Sequence, residues 1–258
     1  MLNIKNKLYI ATFQNKALEV AQNYGLGIEF NNTCISEALD SVNREKLISA
    51  MQKEFDKVGF DKAVLHGPFT EIHPAAIDHR ARLLAMERIE EAYRVCEALG
   101  VKKMVVHTGW IPFIYFKEWQ AQKGAEFWQE FMFGKPSDFT LCVENVLDDE
   151  PYMIADMMRR IDDPRIKICL DIGHANATTS EDIPVETWIK VLGPYIDHFH
   201  LHNNFGDNDT HGDFESGSMD MDSIFKAIEE NCSADATFTI EARECENCVK
   251  WLSHRGYI

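Results

Sequence analysis

Ile166-Lys167-Ile168-Cys169-Leu170-Asp171-Ile172-Gly173-His174-Ala175 begins as a buried strand and ends in two side chains of the kind that bind metals. Ile166, Ile168 and Leu170 alternate with Lys167 and Cys169, which suits a strand with packed surfaces on both sides. Asp171 falls at the carboxyl end of that strand, Gly173 permits a sharp exit, and His174 comes one step beyond. A carboxylate and an imidazole placed where a strand meets its loop can converge on one ion. Taken alone, the segment has a plainer reading, in which Asp171 caps the next helix and His174 is a surface loop residue. Five other strands in the chain end in the same way, and that repetition shifts the balance.

Outward from this stretch, eight strand-then-helix units follow in order. Strands are expected over 7–13, 27–31, 63–69, 103–108, 140–146, the quoted segment, 196–202 and 237–242. Helices are expected over 17–24, 44–58, 78–99, 118–133, 151–161, 185–192 and 222–231, with a last one closing near Arg255. The third is the clearest, because Ala85, Ile89, Ala92, Cys96 and Leu99 share one face and Gly100 supplies the stop. No linker, low-complexity tract or composition break divides residues 1–258. Strict alternation implies a parallel sheet, and eight units close into a single α/β domain, a (β/α)8 TIM barrel.

The 258 residues, 45% of them hydrophobic, suffice for one large core. A net charge of −16 argues against nucleic acid or any general polyanion as a partner, since a basic footprint is missing. The stretch 1–7 holds no long apolar run, so neither a signal peptide nor a membrane span is expected. Seven cysteines, an odd number scattered over strands and helices, read as reduced thiols of a cytoplasmic protein. Cys245-Glu246-Asn247-Cys248 is a lone Cys-x-x-Cys and reads as the start of the last helix. The sequence does not set the oligomeric state, and a homo-oligomer is compatible with it.

Barrel active sites sit at the carboxyl ends of the strands. Those ends carry His66, His107, Glu144, Asp171, His200 and Glu241, on strands three to eight in order. Two residues earlier stand Val64, Val105, Cys142, Cys169, His198 and Thr239, mostly compact residues suited to a barrel interior. Phe199 and Leu201 then face the helices. Imidazoles and carboxylates aimed into one mouth are costly unless cations compensate them. A mixed nitrogen and oxygen set suits Zn, Mn or a similar divalent ion. Asp209 and His211, in the polar loop after strand seven, are further candidates that His174 can reach. Each has a bland alternative: turn bonding for His66, a satisfied core position for His107, a solvated loop for Asp209. His198, His200 and His202 share parity, so the residue types leave strand seven's ligand open.

His66-Gly67-Pro68, Val106-His107, Glu144-Asn145, Leu170-Asp171-Ile172-Gly173-His174, His198 to Asn203 and Ile240-Glu241 together resemble the xylose-isomerase-like barrel superfamily. That group includes sugar phosphate isomerases and epimerases, ketose 3-epimerases and endonuclease IV. The resemblance covers nearly the whole chain. From the epimerases it implies a divalent metal held by Glu144, Asp171, His200 and Glu241, with the two glutamates exchanging protons with the substrate. From endonuclease IV it implies a trinuclear zinc site, adding His66, His107, His174, Asp209 and His211. It also selects His200 among its neighbours. One departure stands out: Glu215 occupies the place of a glycine in the strand-seven loop, while Gly217 and Asp220 fit.

Two activities follow as expectations. The first is a metal-dependent isomerase or epimerase, with one to three Zn or Mn ions, acting on a small carbohydrate-like substrate. Glu144 and Glu241 are its proton-transfer pair. The second is a multinuclear-zinc phosphodiesterase, favoured by the nine matching ligands and opposed by the acidic charge. A binding protein that has lost turnover is a third reading. Arg243 is read as a surface ion pair in preference to an anion ligand. The aromatic run Trp110 to Trp119 is read equally as a lid over the substrate and as packing against the following helix.

Overall fold

The computed structural model describes residues 2–14, 16–58, 62–179 and 182–258, so Met1 of the amino-terminal stretch lies outside it. Eight parallel strands close on themselves in chain order, β1 pairing with both β2 and β8. They are β1 Leu8–Ala11, β2 Gly27–Phe30, β3 Ala63–His66, β4 Lys103–His107, β5 Thr140–Glu144, β6 Ile166–Asp171, β7 Ile196–Leu201 and β8 Thr237–Ile240. Helices α1 Ala17–Tyr24, α2 Ser41–Val58, α3 His79–Leu99, α4 Lys117–Met132 and α5 Pro151–Arg160 follow the first five strands. Then come α6 Ile172–Thr178, α7 Val185–Leu192, α8 Met221–Asn231 and α9 Cys245–His254. No described helix is long and apolar enough to cross a membrane.

Most strands end one to three residues earlier than the hydrophobic alternation suggests, because the chain turns as soon as it reaches the mouth. The larger difference is α6. Asp171 closes β6 and at once caps this short helix, its Oδ1 accepting from the His174 N–H at 2.7 Å. The capping reading of Asp171 therefore holds, and it leaves Oδ2 facing the site. Gly173 has a different purpose from the expected sharp exit. It is helical, and a Cβ there would lie 1.9 Å from the His202 ring.

Two apolar layers stabilise the barrel. The outer one joins helices to the outward faces of the strands and contains Phe199 and Leu201, with Phe199 stacked on Phe238 at 5.3 Å. Cys245 and Cys248, at the start of α9, belong to that layer as free buried thiols. The inner one is a plug of Val64, Val105, Cys142 and Cys169, closed by Tyr9. It fills the lumen below the mouth, so the polar ends above it rest on a solid floor. Register completes the placement. His107 pairs with Glu144, and Asp171 with His200, as direct neighbours on adjacent strands.

Candidate functional site: a histidine–carboxylate centre at the barrel mouth

All nine strand-end and loop candidates meet in one cluster. Glu144 is its hub. Its Oε2 lies 3.1 Å from His66 Nε2 and 3.3 Å from His107 Nε2, while Oε1 lies 3.1 Å from His200 Nδ1 and 3.3 Å from His174 Nδ1. Asp171 Oδ2 is 3.5 Å from His174 Nδ1 and 3.8 Å from His200 Nδ1. Glu241 Oε1 stands 3.5 Å from His200 Nδ1 on the other side. Asp209 Oδ2 reaches His211 Nε2 at 3.0 Å and His174 Nε2 at 3.3 Å, which ties the strand-seven loop to the rest.

That loop is held, not merely solvated. Asn203 and Gly212 exchange backbone hydrogen bonds of 2.9 and 2.8 Å, and the Asn203 amide donates to the Phe214 and Met219 carbonyls. Gly217 packs where any Cβ would overlap Asn203 Oδ1, at 2.1 Å, so this glycine of the motif is required. Asp220 caps α8 through the Asp222 N–H. Glu215 is exposed and leaves the loop's closure undisturbed.

Backbone carbonyls orient three of the histidines. Nδ1–H of His66 donates to Gly67 O at 2.9 Å, that of His174 to Asn145 O at 3.0 Å and that of His211 to Glu241 O at 3.1 Å. In His66 and His211 this leaves Nε2 to face the centre, whereas His174 Nδ1 also lies against Glu144 and its Nε2 faces Asp209. His200 is turned the other way, Nδ1 inward and Nε2 toward Glu29 Oε1 at 3.1 Å.

Glu29, wholly buried on β2, is the residue that sequence reasoning missed. Its signal was a lone carboxylate inside the apolar run Gly27-Ile28-Glu29-Phe30. His202, which the resemblance does not select, also joins the centre. Its Nε2 lies 3.0 Å from Asp171 Oδ1, and its ring stacks on His211 at 4.0 Å. His198 points down into the barrel and away from the mouth, bonding Glu29 and Thr239.

Burial opposes every charge here, and neighbours overrule it selectively. Burial raises Glu144, but the charges of His200 and His107, with hydrogen bonds from His107 and His174, hold it well below the usual carboxylate range. Glu241 stays raised, chiefly by burial, against the pull of His200 and with the neighbouring charges of Glu144 and Asp171 adding to the rise. Burial lowers His198 to about 4, against Glu29. His66, His174 and His200 are held up despite burial.

The donors fit a divalent cation. Three nearly inaccessible carboxylates, Glu144, Asp171 and Glu241, crowd one imidazole, an arrangement that calls for positive charge. The Nδ1 atoms of His200 and His202 are buried without a hydrogen-bond partner, as expected of nitrogens kept for another ligand. Several groupings of His and carboxylate atoms lie within 4.8 Å of one another.

A cavity of about 790 Å³ opens onto the cluster. Phe13, Ile35 and Phe69 form its apolar wall, and Asn31, Asn32 and Asn43 line it as well. Among the described residues no lysine or arginine lines it. The aromatic run after β4 does not reach it. Trp110 is buried and Trp119 is tied to the Ala75 carbonyl, which is the packing reading. Phe113, Ile114 and Phe116 stand exposed and do not line the cavity. Arg243 is exposed too and, among the described residues, makes no side-chain ion pair, contrary to the surface pairing expected of it.

The model of the xylose isomerase-like TIM barrel family matches residues 18–250. The chain belongs to this family. An uncharacterized protein of Methanocaldococcus jannaschii is 27% identical over 196 residues, 72% of this chain and 66% of its own length. This chain thus spans just under two thirds of that relative. A solved D-tagatose 3-epimerase-like protein superposes with a TM-score of 0.74 at 20% identity, over 97% of this chain and 96% of the other. A Thermus thermophilus protein soaked with zinc chloride also gives 0.74, at 21% identity over 96% and 97%. At such identities these two likenesses speak for the family's fold.

Proposed function

We propose that the chain is a divalent-metal-dependent isomerase or epimerase acting on a sugar or related polyol by proton transfer next to a carbonyl. The observation that carries this is the placement of Glu144 and Glu241 on either side of His200, at the floor of a cavity without cationic lining. Two carboxylates in contrasting environments suit a base and an acid. A neutral, hydroxyl-rich substrate suits a pocket that pairs asparagine amides with an apolar wall and offers no phosphate clamp.

Glu144, Asp171, His200 and Glu241 would hold the ion, which when bound supplies Lewis-acid polarisation of two neighbouring substrate oxygens. Glu144, kept ionised by its histidines, removes the proton from the carbon beside the carbonyl. Glu241, the more readily protonated, returns one from the other side. Phe13, Ile35 and Phe69 offer an apolar wall against which the nonpolar face of such a substrate would lie. The similarity to a D-tagatose 3-epimerase-like protein supports a carbohydrate substrate.

The test is a panel of ketoses incubated with metal-replete protein in deuterated water. Solvent deuterium should appear on the carbon next to the carbonyl of the substrate that turns over. Turnover of none of the panel, with no exchange, counts against the reading.

A zinc phosphodiesterase is the second reading, favoured by one observation: His66, His107, His174, Asp209 and His211 join the same centre. Two or three ions per chain, with incision of an abasic-site duplex that is lost in His107→Ala, would place this reading first. One ion and no incision keeps the epimerase reading ahead.

A further inference from the structure

Beneath His200 a chain of hydrogen bonds runs down through the barrel. Lys103 Nζ, at the start of β4, lies 2.7 Å from Thr237 Oγ1, and Thr237 Oγ1 lies 2.6 Å from His198 Nδ1. His198 Nε2 is 3.1 Å from Glu29 Oε2, and the other Glu29 oxygen is 3.1 Å from His200 Nε2. Thr239 donates its hydroxyl to Glu29 from the side. Glu29, His198, Thr239 and His200 are all inaccessible to solvent.

The direction of this chain can be worked out link by link. An ammonium donates and cannot accept. Thr237 therefore accepts from Lys103, and its one proton goes to the nearer partner, His198 Nδ1, in preference to Asp197 O at 3.1 Å. His198, having accepted at Nδ1, carries its proton on Nε2 and shares it between Thr239 Oγ1 at 2.9 Å and Glu29 Oε2 at 3.1 Å. An ionised carboxylate only accepts, so His200 must donate Nε2–H to the oxygen that remains. With Nε2 committed to Glu29, a neutral ring of the kind that ligates a cation carries its lone pair on Nδ1, the buried atom without a hydrogen-bond partner that faces Glu144 and Glu241.

We infer that Glu29 is a positioning residue for the metal centre, locking His200 in the orientation and tautomer that present Nδ1 to the ion. This rests on the metal reading given above. The contrast with the other histidines supports it. His66, His174 and His211 are oriented by neutral carbonyls, whereas His200 alone of these four is backed by a buried carboxylate. A carboxylate partner raises the basicity of the imidazole more than a carbonyl does, and such partners are worth about 10–100-fold in metal affinity. Burying a charge there is costly, and satisfying one N–H would need only a hydroxyl or an amide.

Glu29→Gln tests the inference, because the amide can turn its NH2 toward His200 Nε2 and so favour the wrong tautomer. Zinc affinity is measured by competition with a chromophoric chelator, with circular dichroism as a check on folding. A folded Glu29→Gln protein should bind zinc about 10–100-fold more weakly than the native chain. Equal affinity in the folded variant overturns the inference. Nitrogen-15 NMR of the zinc-loaded native protein needs no variant at all. His200 should show zinc on Nδ1 and a slowly exchanging proton on Nε2. Zinc on Nε2, or an Nε2 without a proton, overturns the assignment even if the variant fails to fold. A native chain that binds neither zinc nor manganese overturns the metal reading itself, and this inference with it.

Discussion

His200 Nδ1 lies 3.1 Å from Glu144 Oε1, both fully buried, yet the pair is not aligned as a hydrogen bond. Two such atoms at this distance are held apart from one another and available to a third. Protein purified without chelator should therefore retain at least one divalent ion per chain, and His200→Ala should lower that occupancy sharply. Elemental analysis is the measurement. Absence of stoichiometric metal, with no thermal stabilisation by added zinc or manganese, would sink the metal reading.

Glu144 and Glu241 are expected to matter to turnover beyond their hold on the ion. Glu144→Gln and Glu241→Gln keep the shape and one coordinating oxygen. Each should retain most of the metal while losing turnover by about 10²-fold or more, the usual scale for a general acid or base. The check is kcat measured beside metal content on the same preparation. Full activity in both metal-replete variants removes these glutamates from the mechanism.

Gly173→Ala tests the fit of α6 against β7. Alanine gains at most about 1 kcal/mol over glycine in a helix, the value for an interior position, and Gly173 sits in the first turn of α6. The added Cβ, however, would lie 1.9 Å from His202 Cε1 and 2.3 Å from Nδ1. Overpacking of that kind costs roughly 1–3 kcal/mol, so the clash is expected to win. Tm should fall by a few degrees, and His202 should shift from Asp171. An unchanged or higher Tm would mean that His202 moves aside freely.

Asp148 predicts a pH dependence away from the metal centre. Burial pushes its carboxyl up to about 6, although the Val146 N–H and the Thr108 hydroxyl donate to Oδ2. Its Oδ1 is buried without a hydrogen-bond partner, so no donor there compensates the ionised form. A folded value raised above the ordinary 3.8 means that the stabilising protonated form is fully present below that ordinary value and is lost as pH rises through about 6. Above that range the buried charge costs up to about 3 kcal/mol. Asp148→Asn should be more stable than the native chain at pH 7, and the difference should shrink as pH falls toward 4. Urea unfolding of both proteins at several pH values measures it. A difference that does not change with pH contradicts the assignment.

The residue pattern alone determined the eight alternating units, the closed parallel barrel and the strand ends that converge on its mouth. Alternation along a strand is a local property: a residue two places from Cys169, such as Asp171, shares its direction whatever surrounds it. For the same reason the plug of Val64, Val105, Cys142 and Cys169 was legible before the fold was known.

Tertiary structure decided what depends on distant partners. Glu29 looks like a misplaced charge on β2 until β7 and β8 bring His198, His200 and Thr239 around it from 169, 171 and 210 residues away. Gly173 looks like a turn residue until the His202 ring is seen where its side chain would be. Trp110 to Trp119 could not be divided between lid and core by composition, because hydrophobic burial is non-directional and only packing shows which rings it covers. Which nitrogen each histidine offers the site is set by the group behind its ring: a carbonyl for His66, and a buried carboxylate for His200.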